Sequence, residues 1–285
     1  MQPAGSVRQP RVAGFPGPDI DDEPDVWSGA PVDDDRIRAL AVGAYYGRSW
    51  GAHCDGVAFL PEEEGSTATR RETAIEGLHE SWGVDNADDA RDTIRRLLAG
   101  MHAPLFELVH PLAVAAATEN GRVDRSGLAD EHREFLHTLS GFRGYRGPSG
   151  IDRDYDAWLQ AIKLGITDSL PSPLQTDATA WDLARLVFIA RAACTAGYLT
   201  DDEAWEHMLT GLDRARQHYR NWRQFGDGFL TGAIFWAAAQ DLSAARNQIA
   251  ERRRMIAGLH LRPSSPWRRV ALHAGAPVFS PASPA

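Results

Sequence analysis

Lysine is almost missing from this chain. Lys163 stands alone among 30 basic residues, and all the others are arginine. With abundant alanine, glycine and aspartate, that bias reads as the codon usage of a GC-rich bacterial genome rather than as a demand for guanidinium chemistry. Cysteine is nearly as scarce. Cys54 and Cys194 are the only two, which excludes a disulfide framework and fits a reducing, cytoplasmic setting. Cys194 falls in an apolar run, where a free thiol behaves as a small apolar side chain. No stretch reaches the ~18 apolar residues of a membrane span, Phe229 to Ala239 being the longest candidate. The first residues, MQPAGSVRQP, contain no apolar run of signal-peptide length. No His-Glu-x-x-His zinc helix, glycine-rich phosphate loop or Gly-x-Ser-x-Gly elbow occurs, which counts against the common hydrolase and nucleotide-binding classes. Strand-like alternation is wanting too, with a short hairpin near Val57 to Leu60 as the one opening for it.

What is present is helical periodicity. The 285 residues are 43% hydrophobic, enough for a sizeable core. The densest pattern runs from Asp177 to Trp236. Trp181 to Ala196 is apolar on every face, as a buried helix is, with Asp177 or Thr179 to cap its start and Gly197 placed for a left-handed stop. Thr200 and Glu203 have capping-box spacing. The helix they open carries Trp205, Met208, Leu209, Leu212, Ala215 and Tyr219 at the three-and-four spacing of one stripe. The stripe predicts Trp205 buried against the Trp181 helix. A third helix follows, over Phe229 to Ala239. Upstream, helices are expected from Asp33 or Asp34, after the Thr69–Glu72 capping box, after Asp85, and from Pro104, the last kinked or broken at Pro111. Further helices are expected over Glu131 to Leu139, from Asp152 or Asp154, and over Ser243 to Leu259 with Ile249 and Ile256 inward. Gly141 to Gly150 reads as a flexible loop. The expected fold is all-α: a single multi-helix domain over 33–260 around a buried helical hairpin. Residues 1–32 read as a disordered acidic head and 261–285 as an extended or disordered proline-rich tail.

The residues Trp181-Asp182, Arg185, Gly197-Tyr198-Leu199-Thr200, Glu203-Ala204-Trp205, Tyr219, Trp222 and Gly232 to Trp236, in that order, resemble the bacterial domain-of-unknown-function 1266 family. The likeness is best over residues 158–236, inside a core of 152–240, and looser at Leu78 and Trp82-Gly83-Val84. Two positions depart from it. Asn221 stands where the family often has serine, and Ala233 follows Gly232 where it often has arginine. The resemblance implies an α-helical bacterial protein whose marker aromatics are Trp181, Tyr198, Trp205, Tyr219, Trp222 and Trp236. It implies no reaction.

Three groups of residues invite a chemical reading. Asp182 and Arg185 can pair along one helix face. Arg191 lies on another side of that helix, with Glu203 across the turn as a candidate partner. The four form a candidate polar cluster: a clamp between helices, or an anion-binding or catalytic site. Glu76/His79, Glu107/His110 and Glu134/His137 share the Glu-x-x-His spacing from which di-metal bundles are built. Short helices and the adjoining Pro111 argue for solvated faces instead, so no metal and no cofactor is expected. The third group is electrostatic. Asp19 to Asp35 holds eight acids and no base, whereas Arg246 to His273 holds seven arginines and one acid, Glu251. Arg246, Arg252, Arg253, Arg254, Arg268 and Arg269 form a candidate basic surface. A net charge of −9 argues against a general nucleic-acid binder. The expected role is a non-catalytic interaction module with another protein as partner, of adaptor or immunity type. The alternative is an enzyme or anionic-ligand-binding protein using the four-residue cluster.

Overall fold

The computed structural model describes residues 25–29, 31–59, 65–118, 127–143 and 148–278. Among them the fold is all-α: twelve α-helices, one short 3-10 turn and no strand. The described residues group into two compact units. The first takes those up to Ala99, Leu183–Trp222 and those from Met255; the second takes Gly100–Asp182 and Arg223–Arg254.

In the first unit α1 is Asp34–Val42 and α2 is Ala44–Ser49. Asp33 caps α1, its carboxylate accepting from the Arg36 N–H at 2.9 Å. Helix α3, Thr67–Trp82, is capped by Ser66, whose hydroxyl accepts from the Thr69 N–H. The cap thus lies three residues before the Thr69–Glu72 box read from the sequence; the Thr69 N–H is the donor being capped. Gly83 ends α3 at φ 62, a left-handed stop that favours glycine. Helix α4 is Ala87–Ala99. Residues Ala87–Ala117 together are long and apolar enough to cross a membrane. Gly100, at φ 92, divides that stretch into two helices, and Ile94, Leu97, Phe106 and Val109 are buried in the protein.

The central hairpin is formed by α8, Thr179–Thr195, and α9, Asp201–His218. Gly197 turns the chain at φ 77, and both halves of the Thr200–Glu203 capping box are made. In this unit Leu183, Leu186, Val187, Ile189 and Ala190 of α8 are fully buried. A Cβ on Gly211 of α9 would lie 3.2 Å from Leu186, and one on Gly43 would lie 2.5 Å from Val187. The α1–α2 junction therefore rests its backbone directly on α8.

Trp205 differs from expectation. It is half-exposed, turned toward α1, with the Arg36 guanidinium 4.9 Å above its ring. The stripe on α9 is split between two neighbours: Met208, Leu212 and Ala215 are buried, and Trp205 lies at the edge facing α1. Trp205→Ala should accordingly cost about 1–2 kcal/mol, since a half-exposed ring gives up less than a buried one. Urea denaturation checks this, and a loss of roughly 4 kcal/mol would put Trp205 back in the core.

The segment read as a proline-rich tail is packed as far as His273. It contains α12, Pro266–Arg269, and buries Trp267, Val270 and Leu272. Trp267 stacks on Trp222 at 5.4 Å between ring centroids and 2° between planes, and its indole N–H donates to the Ala41 carbonyl. Part of the acidic head is ordered against it. Asp25 is buried in an ion pair with Arg48, Trp27 donates to the Ser264 carbonyl, and Arg269 lies 3.8 Å over the Trp27 ring. Residues 1–24 and 279–285, where the disordered ends were expected, lie outside the described residues, as does Leu60 of the possible hairpin.

The second unit contains α5, Ala103–Ala117; α6, Leu128–Arg143; α7, Pro148–Lys163; most of α10, Trp222–Gln240; and α11, Leu242–Leu261, as far as Arg254. Helix α5 passes through Pro111 unbroken. One backbone bond is lost there, and burial of Val109, Ala113 and Ala116 offsets it. The glycine-rich stretch 141–150 is helical up to Arg143 and again from Pro148, with 144–147 outside the described residues. The core is aromatic. Phe106, Trp158 and Phe235 meet edge to face at 5.3–5.6 Å. Trp181 packs on Phe229 and Trp236. A Cβ on Gly232 would lie 2.5 Å from that of Trp181, so α10 crosses the start of α8 at a distance only glycine permits.

Candidate functional site

The four residues of the candidate cluster have separate duties. Asp182 is fully buried. One carboxylate oxygen accepts from the backbone N–H groups of Met101, His102 and Ala103 at 2.9–3.1 Å, and the other lies 3.3 Å from His102 Nδ1. These are orphan donors at the start of α5, where the helix dipole favours a negative charge. Asp182 is a cap delivered from another part of the chain. Arg185 is buried with its guanidinium 5.5 Å over the Trp82 ring.

Arg191 does not reach Glu203. It is buried at 2% exposure, and its guanidinium donates to the carbonyls of His53, Gly56, Val57 and Ala58. Burial lowers its pKa to about 10, so it stays charged at neutral pH and gathers one turn of loop around a fixed cation. The His53-Cys54-Asp55 fragment belongs to that loop. Asp55 accepts from the Ser28 and Gly29 N–H groups, and burial pushes the Cys54 thiol up to about 12, the reverse of what a nucleophile needs.

Glu203 faces solvent. It closes the capping box with Thr200 and receives Arg91 at 2.7 Å. The Thr200 N–H, then Arg91 and the Thr200 hydroxyl, hold its carboxyl down at about 2, against an ordinary value of 4.5. A carboxylate with a depressed folded pKa stabilises the fold above the unfolded pKa and stops doing so as pH falls through the folded one. The wild type should thus lose stability relative to Glu203→Gln between pH 4.5 and about 2. Parallel thermal-melting curves for the two proteins across that window would contradict the assignment.

Each histidine of the Glu-x-x-His repeats turns to a partner other than its glutamate. His79 Nδ1 meets Asp85 at 2.5 Å, and His137 Nε2 meets Asp152 at 2.7 Å. His110 stacks on Phe106 and accepts the Trp158 indole N–H at 3.1 Å. That acceptor role assigns the Nδ1 lone pair, and burial lowers the pKa of the ring, so the imidazole stays neutral. Among the described residues no group of three or more His, Cys, Asp or Glu is arranged to hold a metal ion.

A concave surface that the sequence did not signal lies in the first unit, between α3 and α4. It is a cleft of about 410 Å³ lined by His79, Glu80, Trp82, Gly83, Asp89, Asp92, Thr93 and Arg96. Trp82, at the last turn of α3, is half-exposed there. Asp89 is tied down as part of the α4 cap, accepting from the Asp85 N–H and the Asn86 amide, and Asp92 pairs with Arg95 and Arg96. The cleft is open, charged and aromatic at one wall.

The marker aromatics are structural for the most part. Trp181, Tyr219 and Trp222 are buried, Tyr198, Trp205 and Trp236 half-buried. Trp222 donates to the Val270 carbonyl, and the Tyr219 carbonyl meets His273. Over residues 77–272 the chain matches the family model described as protein of unknown function, DUF1266. The chain belongs to that family. The match takes in α4 through α12 whole and the end of α3 with Trp82. The chain is also 24% identical over 170 residues to the uncharacterized protein YbeR of Escherichia coli strain K12, covering 59% of this chain and 60% of YbeR. No solved structure matches. Family membership thus fixes a kinship without a reaction, and the basic residues show how the family's C-terminal region is built here. Arg246 donates to the Leu164 carbonyl, Arg252 lies over Trp181, Arg268 is half-buried, and Arg246, Arg253, Arg254 and Arg269 are exposed.

Proposed function

We propose that this protein is a non-catalytic protein-interaction module of the adaptor or immunity type, acting in the bacterial cytoplasm through the α3–α4 cleft. The carrying observation is the cleft itself: about 410 Å³ of open concavity with a half-exposed tryptophan on its wall and charges of both signs around it. Tryptophan and arginine are the residues that anchor protein interfaces. Two further features support the reading. The buried charges Asp182 and Arg191 serve backbone atoms of their own chain. Both described cysteines are free, which suits a reducing compartment.

A photo-crosslinking amino acid at position 96 tests this in the producing cell. The expected result is one dominant protein adduct that disappears when Trp82→Ala is added. Melting of the purified variant should show the fold intact, since Trp82 is only half-buried. Adduct formation no stronger than from a control position on the exposed side of α9, such as Thr210, would overturn the reading.

A further inference from the structure

The face of α3 beside the cleft carries a regular stripe of acid. Glu72, Glu76 and Glu80 recur every four residues, so they lie on one side of the helix, and all three are exposed. None of them accepts a hydrogen bond or ion pair among the described residues. The stripe continues electrostatically into α4. Residues 72–92 hold seven carboxylates and a single arginine, Arg91.

Helix α11 carries the complement. Arg246, Arg253 and Arg254 are spaced by seven and eight residues, which places them on one helix face, and all three are exposed. Glu251, the one acid within α11, lies three residues before Arg254 at the edge of that face. Both stripes extend over eight residues of helix, about 12 Å at 1.5 Å per residue. The acidic stripe belongs to the first unit and the basic stripe to the second.

We propose that the partner at this face is a second copy of the chain, the glutamate stripe of α3 in one copy docking on the arginine stripe of α11 in the next. The proposal rests on the interaction-module reading and names its occupant. Charge complementarity carries it: two exposed stripes of opposite sign and equal length, on one sequence. The two surfaces differ, so the contact is heterologous. Each copy keeps one free face of each kind, and assembly continues until it closes into a ring or extends as a chain. Charges on exposed helices attract over about a Debye length, ~10 Å at 0.1 M salt and shorter above it, so the assembly dissolves in salt.

Sedimentation of the full-length protein tests it. At about 50 mM salt the weight-average mass should rise with concentration beyond that of a dimer, and raising salt to about 500 mM should weaken the association at least tenfold. Glu76→Lys with Glu80→Lys should leave a monomer, as should Arg253→Glu with Arg254→Glu. A chain carrying all four changes exchanges the two signs and should associate again. Mixing the two monomeric variants pairs intact with intact and reversed with reversed faces, and should restore the assembly. Should a charge reversal disturb the fold, Glu76→Gln with Glu80→Gln and Arg253→Gln with Arg254→Gln serve instead, with the same loss expected. A wild type that stays monomeric at low salt, or association that survives either reversal, overturns the proposal. A monomer that still gives a Trp82-dependent adduct to a different protein refutes self-docking and leaves the interaction module standing.

Discussion

Asp182→Ala should destabilise the protein by about 3–5 kcal/mol, the range for removing one side of a buried, hydrogen-bonded charge site. The side chain is fully buried, and its loss strands the N–H groups of Met101, His102 and Ala103 together. An ordinary N-cap substitution costs about 1 kcal/mol; here the donors have no route to water through the missing carboxylate. Asp182→Asn separates the contributions. One oxygen remains to accept, the charge that complements the helix dipole goes, and about half the loss should persist. Equilibrium denaturation of both variants gives the numbers. A loss below ~1 kcal/mol for the alanine would mean that α5 is capped in some other way.

Arg191→Met should cost about 2–4 kcal/mol. Methionine keeps the length and apolar stem of the side chain, so packing on α8 changes little. What goes is the set of donors that holds the carbonyls of His53, Gly56, Val57 and Ala58. The loss should be local before it is global. Hydrogen exchange across residues 53–59 should accelerate while α8 and α9 keep their protection. Unchanged exchange in that loop would show that it is held from elsewhere.

The helices were legible wherever the signal was local. The Thr200–Glu203 box, Gly197 at its left-handed turn, and the inward Ile249 and Ile256 of α11 follow from spacing within a few residues. The roles of the charged residues were not legible, because their partners are remote. Asp182 serves backbone some 80 residues earlier, and Arg191 serves a loop more than 130 residues earlier. Sequence proximity suggested Glu203 for Arg191; the fold brought carbonyls to one and Arg91 to the other. Trp267 shows the same limit from the other side. Prolines around it mark an extended tail, yet the Trp222 ring and the Ala41 carbonyl make a site for it that no local pattern announces. The α3–α4 cleft left no signature at all, since it is lined jointly by two helices on either side of Gly83 whose individual patterns are ordinary.

The ties between Asp25, Trp27 and the segment Ser264–Arg269 bear on how the protein is made. Asp25 and Ser264 are 239 positions apart, and ribosomes add only about 5–20 residues per second. For many seconds a nascent chain holds Asp25 and Trp27 without the Ser264 groups that will meet them. The first unit cannot close until the segment Ser264–Arg269 has left the ribosome. Chains arrested before codon 264 should therefore be cut readily by protease near residues 25–59, and release of a few dozen further residues should confer resistance.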